Sequence, residues 1–164
     1  MANTYTQIYL QVVFAVKHRE ALISRVWKER LHKYVTGIIQ NHGHKLIAIN
    51  TVPNHAHVFI GFKPHQALSD LVRDVKKDST NFINHEIKPG GRFAWQEGFG
   101  AFSYSHSHID RVVKYILNQE EHHRRRTFRE EYERMLREYA IEHDARYVFE
   151  WLGDDECSAP TELG

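Results

Sequence analysis

Between residues 4 and 16 apolar and polar positions alternate with a period of two, Ile8, Leu10, Val12, Phe14 and Val16 against Tyr5, Gln7, Tyr9 and Gln11. Residues two apart share one face of a strand, so this spacing predicts a half-buried strand. The period then lengthens. Val26, Leu31, Val35, Ile38 and Ile39 recur at helical spacing and predict a helix from about Arg25 to Asn41. Asn41-His42-Gly43 ends it, with Gly43 as the left-handed cap. Lys45 to Thr51 reads as a second strand, carrying Leu46, Ile47, Ala48 and Ile49. Pro53-Asn54 is turn chemistry, and a third strand follows at once, so strands two and three form a hairpin.

A second helix is predicted from about Ser69 to His85, where Leu68, Leu71, Val72, Val75, Ser79, Phe82 and Ile83 form a nearly unbroken stripe. Pro89-Gly90-Gly91 is a loop, and Arg92 to Gly100 reads as an irregular segment with aromatic anchors. Ala101 to Ser107 alternates again and gives a fourth strand. Strand, helix, strand, strand, helix, strand is the order of the α+β, ferredoxin-like βαββαβ fold. Its four-stranded antiparallel sheet carries two helices on one face and leaves the other available for binding, as in single-strand RNA modules. A further helix starts near Ile109-Asp110, with Ile109, Val112, Val113, Ile116 and Leu117 as its buried stripe. Thr127 to His143 forms another, with Phe128, Tyr132, Met135, Leu136 and Ile141 apolar. Tyr147 to Trp151 is too apolar for a free tail and is expected to pack on the body or on a partner. Residues 1–152 are thus read as a single domain, and 153–164 as a disordered tail.

Composition narrows the class. The 164 residues, 41% hydrophobic and 26% charged, are those of a soluble globular chain, and no apolar run of about eighteen residues exists to span a membrane. The N-terminus has no basic stretch followed by an apolar one, so no secretory signal is expected. A single cysteine, Cys157, makes no internal disulfide and fits the reducing cytoplasm. The net charge of +1 conceals an asymmetry. Residues 1–126 carry 18 Lys and Arg against 10 Asp and Glu, whereas residues 127–164 carry 4 against 11. A basic body suggests a polyanion as ligand, nucleic acid above all.

The candidate chemistry sits on the third strand. In Pro53-Asn54-His55-Ala56-His57-Val58-Phe59-Ile60, the residues Ala56, Val58 and Ile60 turn to the core, while His55 and His57 lie side by side on the opposite face. Two neutral imidazoles so placed can chelate a divalent ion. On the helix after the fourth strand, Tyr115 lies off the buried stripe with Gln119 one turn on and His122 continuing the same side. A tyrosine and an amide on that flank are available for chemistry, although a surface tyrosine on an amphipathic helix is the commoner case. Basic residues outside the stripes, Arg73, Lys76 and Lys77 together with Lys63 and Arg92, are candidates for phosphate contacts, or form an ordinary solvated face. Arg124-Arg125-Arg126 either touches DNA or ends its helix favourably.

Three segments, taken together, resemble a known family. They are the His-hydrophobic-His ("HUH") stretch at 53–58, Trp95-Gln96-Glu97-Gly98-Phe99-Gly100-Ala101-Phe102-Ser103-Tyr104-Ser105, and Val113-Lys114-Tyr115-Ile116-Leu117-Asn118-Gln119-Glu120-Glu121-His122-His123. In order and spacing they resemble the single-tyrosine HUH transposases of small bacterial insertion sequences and their REP-associated relatives, from about Tyr5 to Trp151. Ala56 is a small occupant of the hydrophobic position. The resemblance implies that His55, His57 and Gln119 bind one divalent ion, Mg²⁺ or Mn²⁺, which polarises a scissile phosphate. It implies that Tyr115 attacks that phosphate, forms a 5′-phosphotyrosine and releases a 3′-hydroxyl. It further implies transposition of single-stranded DNA bearing a hairpin near the element's ends, and a homodimer in which one tyrosine helix can complete the partner's metal site.

Other readings fit less well. A non-catalytic nucleic-acid-binding module of the same fold has no need for three ligands and a tyrosine together. A histidine-triad nucleotide hydrolase would carry a third histidine where Phe59 stands, and structural zinc favours several cysteines.

Overall fold

A computed structural model describes residues 3–18 and 21–143 of the chain. Four strands, β1 (Tyr9–Ala15), β2 (Lys45–Val52), β3 (His55–Gly61) and β4 (Gly100–Tyr104), form one antiparallel sheet in the order β2-β3-β1-β4. This is the ferredoxin-like order expected from the chain pattern. Helices α1 (Lys28–Asn41) and α2 (Leu68–Phe82) cover one face. Val12, Phe14 and Val16 of the first strand and Ala56, Val58 and Ile60 of the third pack there against Leu31, Val35, Leu71 and Val75. The alternation read along β1 and β3 thus divides the sheet's two faces as predicted.

Local chemistry sets the element ends. Gly43 follows α1 at φ +85°, a conformation costly for any residue with a side chain. The α2 stripe ends in a single π-helical turn, Ile83–Ile87, before the loop at 89–91. The aromatic segment is anchored: Trp95 donates its indole N–H to Ser79 Oγ at 2.9 Å and packs edge-on against Phe14 and Phe93. Lys76 holds it from α2, donating from Nζ to Gln96 O at 2.8 Å and to Gly98 O.

The other face is not bare. Helix α3 (Ile109–Leu117) packs on it through Val112 and Ile116, against Phe59 and Ala48. A short helix α4 (Gln119–Arg125) follows. Then α5 (Phe128–Glu138) packs Phe128, Tyr132, Met135 and Leu136 against Val13, Ala15 and Phe102. The face predicted to be open for a ligand is therefore largely roofed by the chain's own helices. The alternation read through Tyr5, Gln7, Tyr9 and Gln11 passes over Val13 and Ala15, which break the polar half of β1 as in a strand buried on both faces.

Several boundaries differ. Val26, expected in the α1 stripe, is 91% exposed, and the buried residue beside it is Trp27. Leu117, expected in the α3 stripe, is 59% exposed because the helix stops there. Asn50 of β2 explains the stop: its Nδ2 donates to the carbonyls of Ile116 at 2.9 Å and Leu117 at 3.3 Å. Those are carbonyls a helix end leaves without partners. The chain restarts as α4 at Gln119, and Lys28 on α1 pins it through Glu120 at 3.0 Å. Helix α5 is shorter than predicted, and Ile141 is exposed beyond it. Its start is a capping box: Glu130 N–H donates to Thr127 Oγ1 and Thr127 N–H to Glu130 Oε2. The expectations for Tyr147–Trp151, for Cys157 and for 153–164 lie outside the described residues. No described helix is long and apolar enough to cross a membrane.

Candidate active site at the buried histidine pair

His55 and His57 project from β3 beneath α5, both fully buried. Each ring is oriented from behind. His55 Nδ1 donates to Asn54 Oδ1 at 2.7 Å, and His57 Nδ1 donates to Gln11 Oε1 at 2.7 Å. Gln11 is itself held by Tyr104, to whose hydroxyl its Nε2 donates at 2.8 Å. Amide oxygens only accept, so both Nδ1 atoms carry the proton and both Nε2 atoms present lone pairs. Those two Nε2 atoms lie 3.1 Å apart. Two lone pairs so close repel one another unless a cation lies between them. A carbonyl behind each ring is also the arrangement that fixes ligating imidazoles at metal sites. Phe128 stacks on the His55 ring at 3.8 Å between centroids and limits its rotation.

Acidic and amide oxygens complete the cluster. Glu131 of α5 places Oε1 2.9 Å from His57 Nε2, and its side chain is buried. His55, His57 and Glu131 present ligand atoms all within 4.8 Å of one another, the one such group of His, Cys, Asp or Glu among the described residues. Gln119, the first residue of α4, is also fully buried. Its Oε1 has no hydrogen-bond partner, although the side chain lies beside His55. Two imidazole nitrogens, a carboxylate and an unpartnered amide oxygen form a donor set that fits a divalent cation. Burial pushes the His55 imidazolium well below its ordinary range, so that ring is neutral and able to ligate. Burial alone would raise the Glu131 carboxyl, but positive charge at the facing His57 and His55 nitrogens, from a proton or a bound cation, holds it well below the usual carboxylate range.

Tyr115 enters from α3 of the same chain. Its ring stands edge-on to His57 at 6.0 Å and 4.7 Å from the His122 ring. The residue is half-buried, with its hydroxyl enclosed and not in an aligned hydrogen bond. It is therefore not the surface tyrosine that helix patterns most often produce. Burial first, and Glu131 second, push the phenol above its ordinary range. A cavity of about 600 Å³ opens onto Tyr115, walled by Tyr104, His108, Arg111, Arg134 and Tyr139.

The structure thus brings together His55, His57, Tyr115 and Gln119. It does not bring the predicted basic residues to them. Arg73, Lys76 and Lys77 ride on α2, behind the sheet. Arg73 pairs with Asp70 and Asp74, Lys76 is committed to the Gln96 and Gly98 carbonyls, and Lys63, Lys77 and Arg92 are exposed. Sequence reasoning missed Glu131, Asn54 and Gln11. A signal for Glu131 existed: it occupies a stripe position with Phe128, Tyr132, Met135 and Leu136, a charge where the core should be.

Comparison with known proteins agrees with the fold. The family described as "Transposase IS200 like" matches residues 4–119. The chain belongs to this family of IS200-like transposases. The ISDra2 transposase TnpA of Deinococcus radiodurans is 23% identical over 118 residues, covering 69% of this chain and 84% of that protein. A crystal structure of a protein described as a transposase from the same organism superposes with a TM-score of 0.55 at 21% identity, covering 73% of this chain and 96% of the other. A REP-associated tyrosine transposase bound to a REP hairpin superposes with a TM-score of 0.56 at 15% identity, over 75% of this chain and 73% of the other. The family match ends at Gln119, so Glu131 and Arg134 lie beyond it.

Proposed function

We propose that this transposase cuts and rejoins single-stranded DNA with Tyr115 as nucleophile. The observation that carries the reading is the placement of Tyr115, its hydroxyl buried and its ring against His57 of its own chain. His55, His57, Gln119 and Glu131 would hold a divalent ion. When bound, that ion supplies Lewis-acid polarisation of the phosphate and positive charge beside a phenol the protein otherwise keeps protonated. Two imidazoles favour Mn²⁺ over Mg²⁺, which prefers oxygen ligands and its own waters.

The chain's residues do the remainder. Asn54 and Gln11 hold the imidazoles in register. Tyr115 oxygen forms the bond to phosphorus as the bond to the 3′ oxygen breaks. The phenol's proton leaves to solvent, and the 3′ oxygen departs as a hydroxyl. The resulting 5′-phosphotyrosine keeps the energy of the broken bond, so a 3′-hydroxyl can reverse the step without a nucleotide cofactor. Tyr115 and the histidines come from one chain, so cleavage in cis needs no partner subunit. A homodimer remains compatible with this arrangement, as an assembly that pairs two cleavage events. Lys63, Lys77 and Arg92, exposed away from the site, are suited to phosphates of a flanking hairpin. The REP-associated neighbour's hairpin complex supports a hairpin as this chain's ligand too.

The test mixes the protein with labelled single-stranded DNA carrying the hairpins that flank its gene, with Mn²⁺ or Mg²⁺, and resolves adducts on a denaturing gel. A metal-dependent protein–DNA adduct, lost in Tyr115→Phe and in His57→Ala, is expected. A tight native-gel shift with no adduct under either ion would favour a binding module instead.

A further inference from the structure

Arg134 is a charged residue of the cleft that the site described so far leaves unused. It lies on α5, three residues beyond Glu131, and lines the cavity that opens onto Tyr115. The side chain is half-buried, and its Nε is enclosed without a hydrogen-bond partner. No ion pair of Arg134 forms among the described residues. A carboxylate is within sequence reach. Glu138 stands four residues on and lines the same cavity. On the same helix, Arg129 and Glu133 have that spacing and do pair, at 3.2 Å. Arg134 has instead turned into the cleft.

A guanidinium half-removed from water and in no ion pair among the described residues is costly, and buried cations are ordinarily paired. An anion that enters the cavity would remove that cost. The fork of N–H donors suits a phosphate, to which it can give two parallel hydrogen bonds. The cavity wall beside it is Tyr115, the atom source for attack on phosphorus. Across the cleft, Arg111 is exposed on the outer side of α3 and is the weaker candidate. Tyr104 and Tyr139 also line the cavity, their rings packed edge-on to each other at 5.8 Å, and add aromatic surface on which a base next to the phosphate can rest.

We infer that Arg134 is a catalytic residue of the cleavage step, binding a non-bridging oxygen of the scissile phosphate on the side of Tyr115 away from the histidine pair. The inference rests on the cleavage reading above. As the Tyr115–phosphorus bond forms and the bond to the 3′ oxygen breaks, negative charge gathers on the non-bridging oxygens. A fixed cation there acts most strongly at the point of transfer. It also offsets the charge of Glu131, which otherwise disfavours phenolate at Tyr115.

The test compares wild type, Arg134→Ala and Arg134→Lys on two oligonucleotides, identical except that one carries an uncharged methylphosphonate at the scissile position. Single-turnover cleavage with Mn²⁺ is measured. On the phosphodiester, Arg134→Ala is expected to slow cleavage about a hundredfold, as loss of one oxyanion donor does, and Arg134→Lys to slow it less. On the methylphosphonate, wild type and Arg134→Ala should cleave at similar rates, because the charge Arg134 meets has been removed. An equal loss on both substrates would mark Arg134 as structural and overturn the inference, as would undiminished cleavage by Arg134→Ala on the phosphodiester. Binding of both oligonucleotides to Tyr115→Phe protein supplies a second readout that needs no chemistry. There the preference for the charged phosphate should disappear with Arg134→Ala, and its persistence counts against the contact. A wild type that binds with that Arg134-dependent preference but forms no adduct removes the cleavage reading and with it the catalytic role, leaving Arg134 as a phosphate-binding residue.

Discussion

Glu131 Oε1 stands 2.9 Å from His57 Nε2, linking the last described helix to the third strand across the buried heart of the molecule. A carboxylate facing a nitrogen lone pair is stable only with a proton or a cation between them. If a divalent ion is that cation, Glu131→Gln removes one negative charge and leaves the volume unchanged. Mn²⁺ affinity, measured by calorimetry, should fall about tenfold or more, in the range seen when groups around a metal are altered. Thermal stability without metal should hold or rise, because an isolated buried charge has gone. Unchanged Mn²⁺ affinity would show that Gln119, and not Glu131, completes the site.

The rings behind the ligands make a second prediction. Asn54 and Gln11 touch neither each other nor the proposed ion, yet each sets the tautomer of one histidine. Asn54→Asp keeps an acceptor at His55 Nδ1, whereas Asn54→Leu removes it. Mn²⁺ binding should survive the first and weaken about ten- to a hundredfold in the second. Equal losses in both would mean that Asn54 serves the turn at 53–54 and not the ring.

Much of this molecule is legible in the chain pattern, because β1, β3, α1 and α2 each bury one face and so announce themselves by period. His55, His57, Tyr115 and Gln119, which the structure brings together, could be singled out as candidates for a related reason: a motif of fixed spacing on regular elements survives without knowledge of the packing. What could not be read is the roof. Val13 and Ala15 on the ligand side of β1, and Glu131 among the apolar residues of α5, are misfits within their own elements. They make sense only once α5 is laid across the sheet, a long-range contact that no local period encodes. Lys76 was misleading for the opposite reason. It sits off its helix stripe as a solvated lysine would, but a loop some twenty residues away folds over it and takes its hydrogen bonds.

Lys76 therefore predicts a stability effect. Its ammonium lies 5.8 Å from the Phe14 ring centroid, and burial lowers its pKa to about 8 from 10.5. Between those values the unfolded chain binds more protons than the folded one, so this group makes stability rise with pH across that window. Lys76→Met lacks the dependence. Urea midpoints from pH 7 to 10 should show the wild type gaining on the variant as pH increases. At pH 7 the variant loses the two carbonyl contacts, an effect of about 1–3 kcal/mol for hydrogen bonds from a charged donor. A constant difference across the range would contradict the lowered pKa.

Gly100 tests whether the roof positions the site. It begins β4, and a Cβ built there would collide with the ring and hydroxyl of Tyr132 on α5. That ring cannot swing aside easily, since Phe102 packs edge-on at 6.3 Å and Phe128 at 5.7 Å. In Gly100→Ala the helix itself must lift, and Glu131 and Arg134 lift with it. Overpacking of this kind costs about 1–3 kcal/mol. The variant should also lose Mn²⁺ affinity although no ligand has been changed. Hydrogen exchange should quicken in α5 and stay slow in α1 and α2, which pack on the other face. Tyr132→Phe removes the hydroxyl that makes the nearest approach, so the double variant should recover part of both losses. Gly100→Ala with wild-type stability and wild-type Mn²⁺ binding would mean that α5 does not hold Glu131 in place through this contact.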